Sequence, residues 1–158
     1  MIDRGLCLLL LLCSSQAMAL KTDRTQDMSI KSDTGSGSEE RHELKGNVEI
    51  DQGSLRIRAD DAVVEIANGE VSRVVFNGKP ATLQQEIEDQ GLMRAEATNI
   101  EYLIDGDKVI LSGNVHIVRP RGSMRSERVI YHIDTGLLDA GSEGSRVEMT
   151  IKPKATKN

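Results

Sequence analysis

The chain of 158 residues contains no tryptophan, and its only aromatic residues are Phe76, Tyr102 and Tyr131. Three rings leave few platforms on which bases or sugars stack. Cysteine occurs twice, at Cys7 and Cys13. Without the first nineteen residues the chain has no thiol, which excludes disulfides, thiolate catalysis and cysteine-ligated zinc. The longest apolar run, Leu6–Cys13, stops at Ser14-Ser15-Gln16. That is well short of the ~20 residues that span a bilayer. Positive charge is not in excess either. The formal net charge is −5, a poor balance for binding nucleic acid. No serine sits in a nucleophile elbow, and no motif places two carboxylates together. The histidines, His42, His116 and His132, are scattered. The sequence therefore predicts no enzyme, no cofactor and no metal site.

What is present begins with a leader. Arg4 lies in a short n-region, Leu6–Cys13 is an apolar core, and Ala17-Met18-Ala19 is a small-x-small cleavage site. These features predict a secretory signal over residues 1–19, cleaved before Leu20. A lipid anchor on Cys13 is disfavoured by Leu12, which stands where a small residue is expected. Residues 20–151 are expected to form one domain with its own core. Residues 152–158, KPKATKN, read as a flexible basic tail.

The body of the chain alternates. Leu55 and Ile57 face one way and Arg56 and Arg58 the other. Ala62, Val64 and Ile66 share a face, as do Ile100, Tyr102 and Ile104. So do Val115 and Ile117, Val129, Tyr131 and Ile133, and lastly Val147, Met149 and Ile151. Turn signals punctuate these runs at Gln52-Gly53, Asn68-Gly69, Asn77-Gly78, Gln90-Gly91, Asp105-Gly106, Ser112-Gly113, Arg121-Gly122 and Thr135-Gly136. Period-2 alternation with closely spaced turns predicts an all-β antiparallel fold. Residues 34–43, TGSGSEERHE, read as a loop. Ala81–Met93 fits a short helix or an extended loop between strands.

The sequence also repeats. Leu44-Lys-Gly-Asn-Val-Glu-Ile50 returns as Leu111-Ser-Gly-Asn-Val-His-Ile117, 67 residues on. At the same offset Ala59–Ile66 falls on Ser126–Ile133. Gly53-Ser-Leu-Arg56 resembles Gly122-Ser-Met-Arg125 if a two-residue indel is allowed. A third copy places Arg94–Tyr102 on Arg58–Ile66, 36 residues apart, and a fainter one begins at Met28–Asp33. Each copy holds a small residue followed by an acid: Ala59-Asp60, Ala95-Glu96, Ser126-Glu127 and Ser32-Asp33. These pairs are expected where strands begin, the acid accepting from backbone N–H groups. Gly-Asn is expected to be the tight turn of each hairpin, with Val48, Ile50, Val115 and Ile117 facing inward. A hairpin of this size cannot bury its own apolar face, whereas stacked hairpins bury a continuous one.

In order along the chain, Ile30-Lys-Ser-Asp33, Leu44-Lys-Gly-Asn-Val48, Gln52–Ile57, Ala59-Asp60, Asn77-Gly-Lys-Pro-Ala-Thr82, Ala95-Glu96, Val109–Val115 and Arg146–Thr150 resemble the OstA-like family of periplasmic lipopolysaccharide-transport bridge proteins. The resemblance implies a twisted antiparallel β-jelly roll of about sixteen short strands, built from repeated hairpin units and open at both ends. It also implies a non-enzymatic periplasmic role, with an apolar groove shielding the acyl chains of lipopolysaccharide (lipid A). Copies would stack end to end into a homo-oligomer. An anchored homologous partner would stand at the inner membrane and a barrel partner at the outer membrane. Residues 34–43 depart from the family, which often has an additional hydrophobic hairpin strand there.

The resemblance places Met28, Ile30, Leu55, Ile57, Val64, Ile66, Ile100, Tyr102, Val115, Ile117, Val129 and Tyr131 in the groove. It makes Met28 and Ile30, and Val147, Met149 and Ile151, the two stacking strands. Arg119, Arg121, Arg125 and Arg128 form a basic cluster suited to phosphate, or else a solvated turn and strand face. His116 and His132 occupy outward slots. Residue identity does not separate a lipid-lined lumen from an ordinary core. A different reading of the same repeat is a periplasmic scaffold that binds proteins through its strand edges and carries no lipid.

Overall fold

A computed structural model describes residues 23–153. The expected leader and residues 154–158 of the tail lie outside the described residues. After a single 3-10 turn, Asp23–Thr25, ten strands follow: β1 Ser29–Lys31, β2 Thr34–Gly37, β3 Arg41–Gln52, β4 Leu55–Ala67, β5 Glu70–Ile87, β6 Gly91–Leu103, β7 Lys108–Arg119, β8 Gly122–His132, β9 Leu138–Ala140 and β10 Glu148–Ile151. They form one antiparallel sheet in the order β1-β3-β4-β5-β6-β7-β8-β10, with β2 also on β3 and β9 also on β8. The sheet does not close: β1 and β2 remain at one edge, β9 and β10 at the other. No helix among the described residues is long and apolar enough to cross a membrane.

The long strands are all broken at one level. Pairing jumps between Lys45 and Val48 on β3, Arg58 and Asp61 on β4, and Asn77 and Ala81 on β5. It jumps again between Glu96 and Asn99 on β6, and between Ser112 and Val115 on β7, opposite Glu127 of β8. Such bulges bend a strand and increase its twist. In line across the sheet they make a crease. Six of the ten strands cross it, so the fold amounts to sixteen short segments, the number the resemblance implies.

The crease corrects the expected turns. Gly46-Asn47 and Gly113-Asn114 are not hairpin turns but mid-strand bulges, with φ of 78° and 46° in the first and 81° and 51° in the second. Asn77-Gly78 likewise lies within β5. Asp33 holds the first bulge: its N–H donates to Gly46 O at 2.9 Å, and Asn47 Nδ2 donates to its carboxylate at 2.8 Å. The Thr98 hydroxyl donates to Gly113 O at 3.3 Å across the second. The small-acidic pairs also lie at or beside the crease rather than at strand starts.

The crease resets the alternation. On β4 the inward residues are Leu55 and Ile57 before it, then Ala62 and Val64 after it. A one-residue bulge shifts the parity, and the apolar face stays inward on both sides. The Gly-Asn bulges insert two residues and keep parity, so Val48 and Ile50, and Val115 and Ile117, are inward as expected.

The 67-residue repeat is a repeat of register. Lys45 pairs with Asp61 as Ser112 pairs with Arg128, and Gln52 with Leu55 as Arg119 with Gly122. No indel is needed: Gly53-Ser54 and Pro120-Arg121 are equivalent two-residue turns. Two expectations are corrected: most of residues 34–43, expected as a loop, and most of Ala81–Met93, expected as a short helix or an extended loop, are strands. Residues 34–43 contain β2 and the start of β3, paired from Thr34–Lys45 to Gly37–His42 but exposed throughout β2. Ala81–Ile87 completes the 18-residue β5, and Gly91 begins β6.

Candidate functional site

The crease divides the sheet into two leaves. One carries β1, β10 and residues 48–59, 81–97 and 115–126. The other carries β2, β9 and residues 41–45, 61–77, 99–112 and 128–132. Their inner faces share one apolar core. Leu55, Ile57, Val64, Ile100, Tyr102, Val115, Ile117, Val129 and Tyr131 are buried there, and Met28, Ile30 and Ile66 are half-buried against it. The same core holds residues that alternation did not pick out, chiefly Val74, Phe76, Leu83, Met93, Val109 and Leu111. Val74 and Phe76 sit in the continuous run Val74-Val75-Phe76, where period 2 leaves no trace. The interior is packed with its own side chains, and the two cavities that border it lie along its margins.

Opposite the crease the leaves meet at a polar rim. Tyr102 OH donates to Gln52 Oε1 at 3.0 Å, and Tyr131 OH to Gln85 Oε1 at 2.6 Å. Arg119 Nη2 donates to Gly136 O at 2.8 Å and Nη1 to Gln90 Oε1 at 3.1 Å. Asp23 lies over the same rim, accepting from Ser54 N at 3.0 Å and from Gln85 Nε2 at 3.2 Å. Gln52, Gln85 and Arg119 were missed as inward residues, yet a signal exists. Each continues an apolar face by one step: Val48, Ile50, Gln52; Ala81, Leu83, Gln85; Val115, Ile117, Arg119.

Burial pushes the Tyr131 phenol up to about 12, against the opposing effect of the nearby Arg119 charge. The fold thus favours the neutral phenol. That contribution is complete below the unfolded value of about 10 and is lost as pH rises through about 12. Tyr131→Phe leaves Gln85 Oε1 without its donor, so it is expected to cost about 1–3 kcal/mol at neutral pH. It is also expected to unfold less steeply with pH: the wild type should lose about 2–3 kcal/mol more between pH 10 and 12. Urea titrations across that range measure both.

At the C-terminal edge the two leaves part. A cavity of about 240 Å³ lies between β10 and β9, lined by Ile117, Met124, Leu138, Met149 and Ile151, with Arg119 and Arg121 among its walls. Met149 is 63 % exposed and Ile151 75 %, so apolar inner-face side chains stand open to solvent here. A second cavity, about 340 Å³ and of mixed polar and apolar surface, runs along the rim past Asp23, Gln85, Tyr131 and Gly136. The arginine cluster therefore splits. Arg119 and Arg121 border the apolar cleft. Arg125 is exposed and lines a separate surface hollow with Arg146 and Glu148, and Arg128 lies outward on the other leaf. Burial lowers the Arg119 pKa.

Outside, the sheet carries charge. Arg58 meets Glu49 at 3.3 Å, Arg73 meets Glu65 at 2.9 Å and Glu101 at 2.6 Å, and Arg56 pairs with Asp51. Exposed pairs of this kind contribute ~0–1 kcal/mol each; their arrangement marks the solvent face. His116 and His132 lie on it, His132 beside Asp139 at 3.0 Å.

Residues 29–137 match the family described as LptA/(LptD N-terminal domain) LPS transport protein. The lipopolysaccharide export system protein LptA of Escherichia coli is 30 % identical over 91 % of this chain and 80 % of its own length. The lipopolysaccharide export system protein LptH of Pseudomonas aeruginosa is 25 % identical over 89 % of this chain and 87 % of its own. The crystal structure of that LptH, described as the LptA homologous periplasmic component of a lipopolysaccharide transport device, superposes with a TM-score of 0.75. It covers 84 % of this chain and 99 % of LptH at 22 % identity, and shares the fold.

Proposed function

Since the chain belongs to the family of LptA and the LptD N-terminal domain, we propose that it takes part in lipopolysaccharide transport as a periplasmic carrier. It binds the acyl chains between its two apolar leaves and hands the lipid along copies stacked end to end. The observation that carries this reading is an apolar inner face that runs unbroken across the sheet and is left uncovered at the C-terminal edge. Exposing a CH₂ to water costs ~0.8 kcal/mol, so a chain of about ten methylenes costs roughly 8 kcal/mol. A carrier through water must cover that length continuously, and a repeated, unclosed sheet extends by adding copies. The free edges at β1/β2 and β9/β10 suit strand addition by a second copy or by homologous membrane-bound partners.

A photo-crosslinking residue at Ile30 or Met149 is expected to capture lipopolysaccharide, and one at Arg56 on the outer face is not. Equal capture at all three positions would defeat the inside-outside assignment. Purified protein devoid of glycolipid by native mass spectrometry, and uncrosslinked at Ile30 and Met149, would favour a strand-edge scaffold instead.

A further inference from the structure

A filled interior raises the question of how alkyl chains enter it. The leaves are joined through the crease, so they can part only at the rim, and the rim bridges are not alike. Two are neutral Tyr–Gln pairs with both members buried or nearly so. The third breaks the pattern. At the position equivalent to Gln52 in the repeat stands Arg119, and the nearby Tyr131 gives its hydroxyl to Gln85 instead of to it. Its guanidinium is held by neutral acceptors: Gly136 O at 2.8 Å, Gln90 Oε1 at 3.1 Å and the Met93 sulfur at 3.6 Å. Its buried Nε meets no acceptor, and among the described residues no carboxylate pairs with it. Arg119 borders the apolar cleft beside Arg121, and its acceptor residues Gln90 and Gly136 line the rim cavity.

A part-buried guanidinium without a counter-ion, its Nε out of reach of water, is costly. An arriving anion competes well against a carbonyl, because it brings a full opposite charge and can accept two parallel bonds from the guanidinium fork. We propose that Arg119, with Arg121, binds the phosphate monoester headgroup of an acylated lipid, and that this binding draws Arg119 from Gly136 O and unlatches the leaves. The inference rests on the transport reading above and adds the trigger to it. The headgroup supplies the charge that opens the rim, and the acyl chains, seated at the neighbouring cleft, fill the gap. Arg125 and Arg128, on outer faces, take no part.

The test places spin labels at Glu88→Cys and Asp134→Cys, two exposed residues on the turns that Arg119 joins, with Cys7→Ser and Cys13→Ser. Phosphorylated lipopolysaccharide is expected to lengthen the inter-label distance by about 5 Å, half the ~10 Å spacing of packed sheets. Enzymatically dephosphorylated lipopolysaccharide and inorganic phosphate alone are expected to leave it unchanged. Arg119→Gln is expected to abolish the difference between phosphorylated and dephosphorylated lipid, and Arg125→Gln to keep it. Lipid capture at Ile30, measured on the same samples, separates the two readings. Captured lipid with unmoved labels overturns the latch, and so does opening by dephosphorylated lipid or by inorganic phosphate. Absence of capture overturns the transport reading itself.

Discussion

Gly46→Ala and Gly113→Ala are each expected to destabilise the protein by about 2–4 kcal/mol, far more than glycine-to-alanine changes on an exposed strand. Both glycines sit at the crease with φ near +80°. A left-handed backbone costs a non-glycine residue about 1–2 kcal/mol. Space adds to that cost. A Cβ on Gly46 would meet Asp33 Cγ at 3.0 Å and its carboxylate oxygen closer still. On Gly113 it would meet Thr98 Cβ and Oγ1, both at 2.9 Å. Asp33 and Thr98 are the residues that hold the two bulges, so displacing them loosens the bend itself. Gly69 is the internal control. Its φ is +82°, yet nothing lies within 4 Å of its Cβ position, so Gly69→Ala should cost only the backbone penalty of about 1 kcal/mol. Urea midpoints at unchanged m-value give the comparison. A Gly69→Ala as damaging as the crease variants would mean that crowding at the crease contributes nothing.

These positions also show what the sequence discloses and what it hides. The repeated L-x-G-N-V-x-I was visible, and so was its inward Val and Ile, because period 2 is local. That Gly-Asn bends a strand instead of ending it was not visible. A left-handed pair serves a two-residue turn and a two-residue bulge alike, and only pairing with Asp61 or Arg128 across the sheet decides between them. The same ambiguity hid Ala81–Ile87, whose alternation reads Ala, Leu, Gln, Ile. A polar Gln85 in the third place looks like a break in an apolar face. In the structure it is the point where that face reaches the rim and meets Tyr131. Residues 34–37 pair as a strand with no apolar face at all, which no hydrophobic pattern announces. The inward direction of Leu55, Ile57, Val64, Ile100, Tyr102, Val115, Ile117, Val129 and Tyr131 was legible because they lie on clean alternating runs. The rim was not, since it exists only once two segments remote in sequence are folded over one another.

Phe76→Ala is expected to be the most damaging single change in the absence of lipid and to be rescued in its presence. Phe76 is fully buried on β5, paired with Ala62 on one side and Ile100 on the other. It has no polar handle, so truncation removes only packing. The loss from such a change is about 3–5 kcal/mol, a large share of the 5–15 kcal/mol that stabilises a typical domain. In an ordinary core that loss is permanent. In an interior that must accommodate alkyl chains, the void left by the ring is space a lipid can fill. Any ligand that binds the folded state alone adds RT ln(1 + [L]/Kd), about 2.7 kcal/mol at one hundred times Kd. If the truncated interior takes the acyl chain more readily, that term is larger for Phe76→Ala than for the wild type. Lipopolysaccharide should then raise the variant's urea midpoint more than the wild type's. Equal shifts would place the acyl chains wholly in the cleft between β9 and β10, 240 Å³ of margin rather than the space between the leaves. The experiment thus separates a core that merely resembles a channel from one that gives way to its cargo.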